Sequence, residues 1–123
     1  MKTKLRVLVV DDDPLVRLSI DRQLEALKYD AVTVNNGREA VRVVEMGLVV
    51  DILLTDLNLP DSNGISIAAA VTGLSPATRV AFMSGMAPSD PLDPRDAPFL
   101  LKPFSTMALA NALSGAIPMP YPR

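Results

Sequence analysis

Residues 7–14 read VLVVDDDP, and this stretch decides the fold. Val7, Leu8, Val9 and Val10 form a continuous aliphatic run that stops at Asp11, Asp12 and Asp13. A run without polar alternation, ended by a turn signal, reads as a strand buried on both faces of a parallel sheet. Three adjacent carboxylates at its carboxyl end repel one another, and solvation or a cation relieves that repulsion. Their donors are all oxygens, so the matching cation is a hard one such as Mg2+. Open α/β sheets bind ligands beyond the carboxyl ends of their strands, where these acids fall.

Further along the chain, strand and helix signals alternate. Asp13 is placed to cap a helix whose first position is Pro14. Val16, Ile20, Leu24 and Leu27 share one face of that helix, with Arg17, Asp21, Glu25 and Lys28 elsewhere. A short second strand spans 31–34, and Asn36 with Gly37 opens a second helix to Met46, ended by Gly47. A third aliphatic strand spans 52–55, and a small-residue helix runs over 65–71 with Gly73 as its stop. Strands are predicted over 80–83 and 99–101. Ser105 caps a last helix with Leu109, Leu113 and Ile117 on its apolar face. This alternation predicts an α/β fold, a doubly wound five-stranded parallel sheet in the flavodoxin-like order 2-1-3-4-5.

Two stretches break the pattern. Pro88 to Pro98 holds four prolines in eleven residues, where a fourth crossover helix belongs. Proline removes a helix donor and clashes with the preceding turn, so that helix is expected to be shortened or irregular. Residues 118–123 hold three prolines and read as a tail or linker stub, which leaves 1–117 as the domain.

Composition narrows the chemistry. The chain has 123 residues, 49% hydrophobic and only 4% aromatic, which suits one domain with an aliphatic core. The absence of cysteine excludes disulfides, thiolate metal sites and cysteine nucleophiles. The absence of histidine excludes Ser-His-Asp catalysis, imidazole ligands and an internal phosphohistidine. No apolar stretch is long enough to span a membrane and no signal-peptide pattern is present, so the cytosol is the expected location. The net charge is −2 and the basic residues are scattered, so direct DNA binding is not expected.

Three further residues sit at predicted strand ends. Asp56 follows ILLT, Ser84 follows VAFM and precedes Gly85, and Lys102 follows FLL and precedes Pro103. Singly, each has a bland reading: a polar turn, a turn serine, a solvated lysine. If the first and third strands are neighbours, however, Asp56 faces Asp11 and Asp12. Mg2+ and Lys102 would then neutralise three carboxylates at one edge. A phosphoryl group on Asp56 would place its anionic oxygens where a metal, a lysine and a hydroxyl converge. That is the positioning and charge neutralisation phosphoryl transfer needs, with a carboxylate as nucleophile.

VLVVDDD, LLTDLNLP with Gly64, FMSG and LLKPF together resemble the receiver domain of two-component response regulators. The likeness runs from Leu5 to about Ile117, and implies a CheY-like fold. The 45-residue interval from Asp11 to Asp56, and Gly64 eight residues after Asp56, are typical of that family. The resemblance implies that Asp56 is the phosphoacceptor. It implies Mg2+ ligation by Asp12 and Asp56, by Asp11 through water, and by the main-chain carbonyl of Asn58. Ser84 would be the switch hydroxyl, Phe99 the switch aromatic and Lys102 the phosphoryl-binding cation, with Pro103 holding a cis bond. Ser62 stands where the family often has methionine, and Phe99 lacks the hydroxyl of the commoner tyrosine. The 18-residue interval from Ser84 to Lys102 is short and is similar to receivers at the end of hybrid histidine kinases.

The implied partner is a histidine kinase or a histidine phosphotransfer protein, and the implied state a monomer or weak dimer. No separate substrate turnover is expected, only slow autodephosphorylation. A haloacid-dehalogenase-like phosphatase would also use the D-x-D of Asp11 and Asp13, but it needs a later acidic metal site. No Asp or Glu occurs from Pro103 to Arg123. A binding module that keeps the fold without phosphorylation would be favoured by loss of an acid or the lysine, and all are present.

Overall fold

The computed structural model describes residues 4–86 and 97–118. In chain order these form β1 (Arg6–Val10), α1 (Pro14–Ala26), β2 (Asp30–Val34), α2 (Gly37–Glu45) and β3 (Ile52–Asp56). There follow α3 (Gly64–Leu74), β4 (Arg79–Ser84), β5 (Phe99–Leu101), α4 (Thr106–Ser114) and β6 (Ile117–Pro118). The parallel strands lie in the order β2-β1-β3-β4-β5, as the sequence pattern predicts. The sheet has a sixth member: β6 pairs antiparallel with the start of β4. Most of the proline-rich stretch expected to disturb a fourth helix, residues 87–96, lies outside the described residues, as do residues 119–123 of the expected tail.

Strand alternation sorts β1 onto two layers. Val7 and Val9 pack with Ile20, Leu24, Leu109 and Leu113 beneath α1 and α4. Leu8 and Val10 pack with Ala40, Val44, Ile67 and Val71 beneath α2 and α3. Val7, Leu8, Val9 and Val10 are fully buried, which explains why this run of β1 after Arg6 is aliphatic at every position. Each such side chain contributes about 1.5–3 kcal/mol on leaving water.

Asp13 caps α1 as expected: its Oδ1 accepts from the Leu15 N–H at 2.9 Å, and Pro14 occupies the first turn. Asn36 caps α2 by accepting from the Glu39 N–H at 2.8 Å. Gly47, with φ of 103°, takes the left-handed turn that follows α2.

Two expectations at helix ends are corrected. Gly73 does not stop α3, which continues to Leu74 with Ser75 as its C-cap. The stop is Pro76, which disfavours the helical region for the residue before it; Ser75 has φ −138° and ψ 80°. Ile117 is not on the last helix. That helix ends at Ser114 with Gly115 as cap, and Ile117 pairs with Val80 in β6, against the opposite core layer from Leu109 and Leu113. Pro118, at the start of the expected tail, pairs with Arg79. Gly115 is a poor helix residue and Pro118 cannot continue a helix, so the chain turns back to the sheet.

Candidate functional site

The strand register assembles the site. Val10 is aligned with Thr55, so Asp11 and Asp56 are each the next residue on neighbouring strands. Across β4 and β5, Ser84 is aligned with Leu101, and the Lys102 N–H donates to the Ser84 carbonyl at 2.8 Å. Four sequence-distant segments therefore reach one edge of the sheet. Asp11 (0% exposed), Asp56 (5%) and Ser84 (2%) are buried there, while Asp12 is exposed.

Lys102 ties the acids together. Its Nζ donates to Asp11 Oδ2 and to Asp56 Oδ2, both at 2.7 Å. Burial alone disfavours the ammonium charge, but the hydrogen bonds to Asp11 and Asp56 outweigh it, and the lysine pKa is raised. The other carboxylate oxygens face backbone amides. Asp11 Oδ1 accepts from the Asp13 N–H at 2.9 Å, and Asp56 Oδ1 from the Asn58 N–H at 3.2 Å. Ser84 Oγ accepts from the Met86 N–H at 3.3 Å. The Lys102–Pro103 peptide is cis.

Asp11, Asp12 and Asp56 offer carboxylate oxygens that all lie within 4.8 Å of one another. Donors that are all oxygen, this close and partly buried, fit a hard divalent cation. Asp13 is not part of this group: its carboxylate is spent on the α1 cap. Phe99 is half-buried on the α2–α3 core layer.

The loop after Asp56 is tightly built. Leu59 and Ser62 exchange backbone hydrogen bonds at 3.1 and 3.4 Å, and Asn58 bridges Asn63. The Gly64 N–H donates to the Leu57 carbonyl at 2.9 Å. A Cβ on Gly64 would fall on the Asp56 carbonyl oxygen, so only glycine lets the loop close against the acid's own backbone. Gly64→Ala is expected to lower stability by about 1–3 kcal/mol. Urea unfolding checks this, and a wild-type midpoint would show that the loop can give way.

Sequence reasoning missed Asp61. From this loop it accepts the Gly37 N–H at 3.1 Å and the Arg38 N–H at 3.0 Å, so it caps α2 from a distant segment. These two backbone hydrogen bonds, Gly37 first, lower its pKa below the ordinary 3.8. A depressed carboxylate stabilises the fold fully above 3.8 and loses that effect as pH falls through its lower folded value. Asp61→Ala is therefore expected to lower stability at neutral pH. A carbon-detected NMR titration of the wild-type carboxyl should show a midpoint below 3.8; one at or above it would remove the cap's role. Sequence spacing carries no signal for this cap, because donor and acceptor are 23 or 24 residues apart.

The sheet order and the acid-and-lysine edge define a CheY-like α/β domain. A family profile described as the response regulator receiver domain matches residues 7–114, and the chain belongs to that family. It is 31% identical over 112 residues to the response regulator receiver protein CpdR of Brucella abortus (strain 2308), covering 88% of this chain and 92% of that protein. It is 33% identical over 87 residues to the autoinducer 1 sensor kinase/phosphatase LuxN of Vibrio campbellii, covering 71% of this chain but 10% of LuxN. Among solved structures, a response regulator receiver protein from Sinorhizobium medicae WSM419 superposes with a TM-score of 0.79 at 23% identity, covering 90% of this chain and 92% of that one. Among the described residues, no helix is long and apolar enough to cross a membrane.

Proposed function

We propose that the chain takes a phosphoryl group onto Asp56 from a phosphohistidine of a partner histidine kinase or histidine phosphotransfer protein. A carboxylate oxygen of Asp56 attacks phosphorus, the O–P bond forms, and the N–P bond breaks to release the imidazole. The observation that carries this reading is the ammonium of Lys102 held between Asp11 and Asp56. It stands where a phosphoryl oxygen on Asp56 would need a counter-charge.

Asp11, Asp12 and Asp56, with the main-chain carbonyl of Asn58, would hold Mg2+. When bound, it supplies charge neutralisation for the carboxylates and the incoming phosphoryl group. Ser84, at the end of β4, donates its hydroxyl to the phosphoryl group, and Phe99 on β5 responds to that move. Water later attacks phosphorus, releasing inorganic phosphate and restoring the carboxylate. The chain is thus a cytoplasmic signalling switch, a single-domain regulator, relay intermediate or kinase receiver, and turns over no separate substrate.

The test is intact-mass spectrometry after incubation with Mg2+ and acetyl phosphate. One phosphoryl group per chain is expected, and none when a chelator replaces Mg2+. Uptake unaffected by chelation would overturn the metal-dependent reading.

A further inference from the structure

Arg17 lies near the start of α1, where the sequence pattern gives it only a polar face. In the fold its Nη1 donates to the main-chain carbonyl of Asp11 at 2.7 Å. Among the described residues, no other donor reaches that carbonyl. Asp11 is fully buried, and a buried carbonyl without a partner is costly. The guanidinium therefore fixes the peptide that joins Asp11 to Asp12.

The two acids differ in how they are held. The Asp11 carboxylate is fixed by the Asp13 N–H on one oxygen and by Lys102 on the other. Asp12 is exposed, and among the described residues its carboxylate has no hydrogen-bond partner. Yet it offers an oxygen within 4.8 Å of oxygens from Asp11 and Asp56. Its direction is set by the backbone alone. That backbone is anchored after it by the Asp13 cap and before it by Arg17.

We propose that Arg17 is a positioning residue for the cation site, holding the Asp11–Asp12 peptide so that Asp12 faces Asp11 and Asp56. This rests on the Mg2+ reading above. The charge of Arg17 acts in the opposite sense, since a nearby cation repels Mg2+. The positioning role and the charge effect therefore predict opposite signs when the side chain is neutralised.

The experiment titrates Mg2+ into the full chain by calorimetry, without any phosphoryl donor, and follows Asp12 and Asp13 amide resonances in the metal-free protein. Arg17→Met is expected to bind Mg2+ about 10-fold more weakly, the scale seen when a support of a metal ligand is removed. Its Asp12 and Asp13 amides should shift. Arg17→Lys keeps a donor and should restore most of the affinity. Should Arg17→Met not fold, Arg17→Leu, uncharged and likewise without a donor, replaces it with the same expectation. Equal or tighter Mg2+ binding by the neutral variant, with wild type binding normally, overturns the positioning role alone. A wild type that does not bind Mg2+ overturns the cation-site reading and this proposal with it.

Discussion

Asp56→Asn is expected to abolish phosphoryl uptake from acetyl phosphate while leaving the chain folded. The amide keeps the size of the carboxylate and can still accept the Asn58 N–H that Asp56 Oδ1 accepts at 3.2 Å. Lys102 keeps Asp11 as an ion-pair partner at 2.7 Å. What is lost is the anionic oxygen that attacks phosphorus, and a neutral amide is no substitute as a nucleophile. Intact-mass spectrometry of the folded variant checks this. Uptake equal to that of wild type would remove Asp56 as the acceptor and move the chemistry to another acid.

Lys102→Met is expected to give the largest loss of stability. The substitution leaves buried Asp11 and Asp56 facing each other with no counter-charge. Removing one partner of a buried ion pair costs about 3–5 kcal/mol. The loss should be greatest in chelator and smaller with Mg2+, since a bound cation restores the neutralisation. Denaturant unfolding with and without Mg2+ checks this; a variant as stable as wild type in chelator would show that the two carboxylates are solvated. The pH dependence has a defined sign. The Lys102 pKa is raised, so its contribution is complete below the ordinary 10.5 and fades as pH climbs through the higher folded value. The gap between wild type and Lys102→Met should hold from neutral pH to about 10.5 and close only above it.

The legible part of the site and the hidden part differ in physical origin. Asp11, Asp56, Ser84 and Lys102 could be located because each ends an apolar run, and the end of a run is a local feature. Arg17 and Asp61 could not. Both look like ordinary solvated residues in the sequence, and their partners are backbone groups that any residue carries. Gln23 belongs with them: its Nε2 donates to the Phe104 carbonyl at 3.1 Å, tying α1 to the loop after Lys102, across 81 residues.

The same division runs through the fold. Amino-acid order alone determined the aliphatic strands, the Asp13, Asn36 and Ser105 caps, and the placement of acids and lysine at strand ends, because periodicity and capping act over a few residues. The order of strands also followed, since right-handed crossovers leave few alternatives. Only the tertiary structure decided that Lys102 bridges Asp11 and Asp56, that Arg17 clamps the Asp11 carbonyl, and that Ile117 leaves the helix for the edge of β4. Those outcomes depend on which distant backbone groups the strand register brings within hydrogen-bond reach, and no local pattern encodes that distance.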